Sequence, residues 1–258
     1  MTPETNKHKT LFLIAGIGFC VTTLIYACSV FGILDAQQDI MPGGTISSSA
    51  YLINLWVVVP FALCALLCFL DKIGTVAIAA LSVSSYTLVS PFVTAVLRSY
   101  VSPTPEGLEE VSRKSSLISF VIAAVIVALI AVFSMLFKKK GRVVMSAISA
   151  SLLVLLALYY MYYRYSSVFA LNELLNYDTL ADEMKAYYRY LFDTMPLKRM
   201  IVFAIAGVSG FVMMVGIILR NRATAKSEPD EQDATATPSA YEPRSFEISR
   251  NGRIDYDD

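Results

Sequence analysis

SLISFVIAAVIVALIAVFSMLFKKKGR, residues 116–142, decides how this chain is read. It opens with an uncharged run from Ser116 to Phe137 and closes on Lys138, Lys139, Lys140 and Arg142. A bilayer's hydrocarbon core, about 30 Å thick, needs about 20 apolar residues at 1.5 Å each, and the first part meets that length. The second part is the basic cluster that holds a loop on the cytoplasmic side. Five further runs free of Asp, Glu, Lys, Arg and His have spanning length: Leu11–Leu34, Tyr51–Leu70, Ile73–Leu97, Val143–Tyr163 and Met200–Leu219. The expectation is an all-α membrane protein with six transmembrane helices in an up-down bundle.

Composition agrees. Of 258 residues, 56% are hydrophobic and 16% charged, and mean hydropathy is +0.58, against about 25% charged in a soluble domain. The 21 basic and 21 acidic residues cancel, so no basic field invites nucleic acid. Cys20, Cys28, Cys64 and Cys68 all lie in apolar runs, where a thiol acts as a small hydrophobe. Cys64 and Cys68 share a helical face but lack the two further ligands a metal needs, and no cofactor motif appears. The single histidine, His8, reads as part of a polar leader, residues 1–10.

The basic residues also set orientation. Lys7 and Lys9 precede the first run, Asp35–Ala50 contains no basic residue, and Asp71 and Lys72 form a tight turn. Arg220, Arg222 and Lys226 follow the last run. The alternation places both termini in the cytoplasm of an inner-membrane protein. Arg113, Lys114, Lys185, Arg189, Lys198 and Arg199 fall outside on this reading, among acids. Ile25, Tyr26, Ala27 and Cys28 loosely resemble a lipoprotein processing site, but the apolar run continues through Leu34, so the first run reads as a retained helix.

The two short inner turns make runs two and three, and runs four and five, antiparallel neighbours. The outer segments are longer. Asp35–Ala50, with Pro42, Gly43, Gly44 and three serines, reads as an irregular loop, and Thr104 with Pro105 as the start of a helix entering run four. In the external segment 166–199, Thr179 and Asp182 suggest a capping box. Leu180, Met184, Tyr187, Tyr188 and Leu191 then form the stripe of a short amphipathic helix ended by Pro196. Residues 227–258 turn acidic and Ser/Pro-rich, the composition of a disordered cytoplasmic tail beyond the 11–226 transmembrane domain.

Three constellations carry polar chemistry. Ser82, Ser85, Tyr86 and Ser90 form one stripe of run three, followed by Pro91, which frees the Thr87 carbonyl; Asn54 and Pro60 add a second polar spot in run two. They line a polar path or serve as interhelical hydrogen-bond glue. Tyr162, Tyr163, Tyr187 and Tyr188 are a candidate external aromatic surface, otherwise part of a membrane-interface belt. Gly207-Val208-Ser209-Gly210 resembles the Gly-x-Ser-Gly string around the nucleophile of rhomboid-type intramembrane proteases. No run supplies a base for Ser209, so Ala206 and Gly210 read instead as a small-xxx-small helix contact.

Uncharged spans argue against catalysis and against proton relays. The expected function is therefore non-catalytic: a subunit or assembly partner of a membrane complex, bound to other membrane proteins. Anionic lipid is expected at Lys138, Lys139, Lys140 and Arg142. The alternative is a small-solute permease or channel using the polar hairpin of runs two and three.

Overall fold

The computed structural model of the chain describes residues 3–40, 48–101, 105–175 and 182–226. By internal contact the chain divides into Met1–Ala223, which holds the helical bundle, and Thr224–Asp258, of which only the end of the last helix is described. The acidic tail, the Met41–Ser47 segment, Thr104 and the Thr179 cap lie outside the described residues.

The described residues are helical almost throughout and contain no strand. In order they are α1 (Pro3–Ile40), α2 (Ser48–Phe69), α3 (Thr75–Ser82), α4 (Ser85–Arg98), α5 (Pro105–Leu136), α6 (Lys138–Leu175), α7 (Asp182–Arg189) and α8 (Met195–Lys226). Five stretches are long and apolar enough to cross a bilayer: Lys7–Ser29, Thr75–Arg98, Arg113–Leu136, Lys138–Val168 and Met184–Ala225. A shorter apolar stretch, Val58–Phe69, lies in α2. The chain is a multi-pass membrane protein.

Rings fill the centre. Phe19 of α1 stacks on Phe61 of α2, Phe61 meets Phe203 of α8 edge-on, and Phe203 stacks on Tyr160 of α6 at 5.7 Å between centroids. Small residues bring the backbones together around them. A Cβ on Gly207 would lie 2.8 Å from Val154, and one on Gly210 3.0 Å from Ala150, so α8 rides directly on α6. Gly18 of α1 is pressed against the Ser209 hydroxyl of α8. Lipid offers no hydrophobic drive for helices to associate, so close backbone approach supplies the dispersion that holds them.

The residues read as a polar leader are helical from Pro3. The segment Asp35–Ala50, expected to be an irregular loop, is helical at both ends, since α1 runs on to Ile40 and α2 begins at Ser48. Pro91 lies inside α4 without ending it, and run three is interrupted at Val83 and Ser84, where Val83, Tyr86 and Thr87 N–H groups bond carbonyls three residues back. Hydroxyls make that tightening cheap: Ser82 donates to Ala79 O at 2.7 Å and Ser84 to Leu81 O at 2.8 Å.

Pro196, expected to end a short helix, ends none. Residues Tyr190–Thr194 form a π-helical turn that joins α7 to α8, with the Met195 N–H bonded to the Tyr190 carbonyl five residues back. A proline ring clashes with the carbonyl four residues before it, here Phe192, and widening that turn accommodates the ring without breaking the helix. The amphipathic α7 is thus continuous with the last long apolar helix, and it packs on α1 and α6.

Candidate functional site at the His8 end

The start of α1, the α2–α3 turn, the start of α6 and the end of α8 meet at one end of the bundle. Asp71 organises that meeting. It closes α2 with a left-handed residue, φ 54°, while Asp71 N–H bonds Cys68 O and Lys72 N–H bonds Leu67 O. This is a Schellman cap, in which glycine normally occupies the left-handed position. An aspartate there stores strain and aims a carboxylate back at the bundle.

Two basic side chains flank that carboxylate. Arg220 Nη1 stands 3.9 Å from Asp71 Oδ1, and His8 Nε2 stands 3.9 Å from Oδ2. Neither distance is a hydrogen bond. Arg220 donates to the Ile73 carbonyl at 2.6 Å and lies over the Phe12 ring at 5.4 Å. His8 is only 6% exposed and meets Phe12 edge-on. Among the described residues, Asp71 Oδ1, His8 Nδ1 and Arg142 Nε are buried without a hydrogen-bond partner. Asn221 completes the end by donating to the Lys139 carbonyl at 3.2 Å.

Beside the cluster, between α1 and the end of α2, lies a cavity of about 530 Å³ lined by Lys9, Thr10, Phe12, Leu13, Cys68, Phe69, Leu70 and Asp71. Its rim is charged and its wall apolar. No motif marks His8 or Asp71 as functional. The available signal was a histidine less than one turn before the apolar run that begins at Leu11, sharing its helical phase with Phe12 and Ala15.

The opposite end handles cations differently. Arg164 bonds Asp193 at 2.7 Å, Arg199 donates to the Tyr160 hydroxyl at 3.0 Å, and Lys198 sits over the Tyr190 ring. Tyr190 donates to the Ser29 carbonyl at 2.9 Å, tying the π-turn to α1. Outside the spans, the hydrogen bond from Lys114 holds the Glu110 carboxyl below the usual carboxylate range. The candidate aromatic surface divides. Tyr162 is 69% exposed, Tyr163 stacks on Tyr159, and Tyr188 stacks on Phe192, while Tyr187's side chain lies outside the described residues.

The polar stripe of run three faces protein. Ser82 and Ser85 are 0% and 1% exposed, whereas Tyr86, Ser90, Pro91 and Pro60 are half-buried; Asn54's side chain is outside the described residues. Across the contact with α6, Ser149 donates to the Ile78 carbonyl at 3.4 Å, and Cys64 of α2 reaches the Ala77 carbonyl at 3.4 Å. Ala206 and Gly210 are both buried, Gly210 against Ala150. Ser209 donates to its own helix at Ile205 O, 2.8 Å away. Its contact with Gly18 puts His8 ten residues, about 15 Å, further along α1. That is too far for His8 to act as its base. Lys138, Lys139 and Lys140 are exposed and Arg142 is half-buried.

Compared with known protein families, characterised proteins and solved structures, the chain matches none. Function therefore rests on the geometry of this chain alone. Among the described residues no three His, Cys, Asp or Glu side chains converge as a metal-ion cluster would require.

Proposed function

We propose that this chain is a non-catalytic subunit of a membrane complex: a six-span bundle of the inner membrane, both termini cytoplasmic, that seats the transmembrane helix of a partner. One observation carries the reading. The outer face of α6 bears an apolar groove of about 460 Å³, lined by Val143, Val144, Ala147, Ile148, Ser151, Leu152 and Leu155. Ala147 and Ser151 stand four apart, the small-xxx-small spacing that admits another helix's backbone.

The other parts of the reading have their own support. The sixth crossing is α2, 22 residues long and uninterrupted by charge. A cytoplasmic His8 end fits the gathering there of Lys9, Lys72, Arg142 and Arg220, while opposite cations are taken up by Asp193, Glu110 and tyrosine rings. Exposed Lys138, Lys139 and Lys140 suit anionic headgroups of that leaflet. A solute path along Ser82 and Ser85 would need wet hydroxyls, and theirs are enclosed by protein.

The test is isolation of the full chain in mild detergent from its native membrane, wild type beside an Ala147→Leu, Ser151→Leu double variant. The expectation is a stoichiometric membrane partner with wild type and its loss, at unchanged melting temperature, with the filled groove. A partnerless monomer from native membranes overturns the proposal. A polar path is tested by cysteines at 82 and 85: labelling by an impermeant thiol reagent would revive the permease alternative.

A further inference from the structure

We propose that the cavity between α1 and the end of α2 binds one phospholipid whose headgroup carries both a phosphate and a primary ammonium, of the phosphatidylethanolamine kind. The inference is independent of the assembly role. Lys9 and Asp71, of opposite charge, share the rim of this cavity, and neither is paired with the other among the described residues. A ligand with both charges a few ångströms apart satisfies the two at once. A singly charged ligand satisfies one and opposes the other.

Asp71 has acceptor capacity to spare. Its side chain keeps 37% of its exposure, and the flanking His8 and Arg220 stand at 3.9 Å, beyond hydrogen-bond distance, with Arg220 donating to Ile73 O at 2.6 Å. A primary ammonium supplies three N–H donors in a small volume. The trimethylammonium of a choline headgroup supplies none. Lys9, with Thr10 beside it, is placed for the phosphate.

The wall argues for lipid over a free headgroup. Leu13, Phe69 and Leu70 line the cavity and remain 51%, 47% and 53% exposed, so the apolar side opens outward beneath the charged rim. Headgroup-level charge above exposed hydrocarbon matches the order of a phospholipid, polar end first and acyl chain below. Gly16, packed on the Phe69 ring, fixes α1 against α2 and sets the wall.

Nanodiscs holding the full chain in equal phosphatidylethanolamine and phosphatidylcholine, over a constant anionic background, test this by native mass spectrometry of retained lipid. Wild type is expected to retain the ethanolamine lipid about tenfold over the choline lipid, equivalent to ~1.4 kcal/mol. Asp71→Asn, which keeps a residue tolerant of the left-handed conformation, is expected to bring that ratio close to one. Lys9→Gln, at an exposed position that leaves folding intact, is expected to lower retention of both lipids while keeping their ratio. Equal retention by wild type, or a ratio unchanged in Asp71→Asn, overturns the proposal. Displacement by soluble phosphoethanolamine at millimolar concentration would also overturn it, since the site would then hold a free headgroup.

Discussion

Asp71 adopts a backbone conformation that glycine would hold without strain, and it brings a carboxylate that glycine would lack. Left-handed φ costs an ordinary L-residue about 1–2 kcal/mol, less for Asp or Asn, whose short polar side chains bond locally. The partly exposed Arg220 pair at 3.9 Å returns about 0–1 kcal/mol. The two effects nearly cancel, and that sets the expected order of variants. Asp71→Gly should stay within about 1 kcal/mol of wild type, whereas Asp71→Ala, which keeps the strain and loses the charge, should fall by about 2 kcal/mol. Thermal unfolding in nanodiscs measures both; equal stability of the Gly and Ala variants would remove strain from the account. The same residue shows where reading by pattern stops. Asp71 and Lys72 mark a turn by composition, but that the carboxylate points at His8 and Arg220 depends on residues 63 and 149 positions away.

Helices meet here through missing side chains as much as through present ones. Gly18 of α1 leaves room for the Ser209 hydroxyl, and Gly207 and Gly210 of α8 leave room for Val154 and Ala150 of α6. Gly18→Ala would overlap that hydroxyl, and overpacking of this kind costs about 1–3 kcal/mol. Adding Ser209→Gly should restore part of the loss, because the clash is with one side chain and not with backbone. A detergent melting series on the two single variants and the double checks the coupling; additive losses would place the contact elsewhere. Element ends were the harder part to foresee. Pro105 does open α5, where the N–H it lacks would have had no intrahelical partner, but Pro196 sits one residue inside α8 behind a π-turn and Pro91 lies within α4. A proline specifies only that one hydrogen bond is lost. Whether the chain kinks, widens or tightens depends on which donors are near, and run three is interrupted beside the hydroxyls of Ser82 and Ser84, upstream of Pro91.

At the scale of the molecule, the charged groups sort by end. His8, Asp71, Arg142 and Arg220 gather at one, and Arg164, Asp193, Lys198 and Arg199 at the other. Such sorting predicts the threading: reporter fusions at residues 140 and 185 should report opposite compartments. The same compartment for both would refute six alternating crossings. That prediction is old in the sense that charge and apolar run length already contain it. Spanning character was legible in the amino-acid sequence because it depends on one local quantity, the free energy of moving some 20 consecutive residues into hydrocarbon. The inward burial of Tyr160 and the enclosure of Ser82 and Ser85 were not legible, nor was the cluster around Asp71. Each depends on which face of one helix meets which face of another, and lipid, as apolar as the side chains themselves, leaves no local hydrophobic signal of that choice. Only the packed bundle makes it.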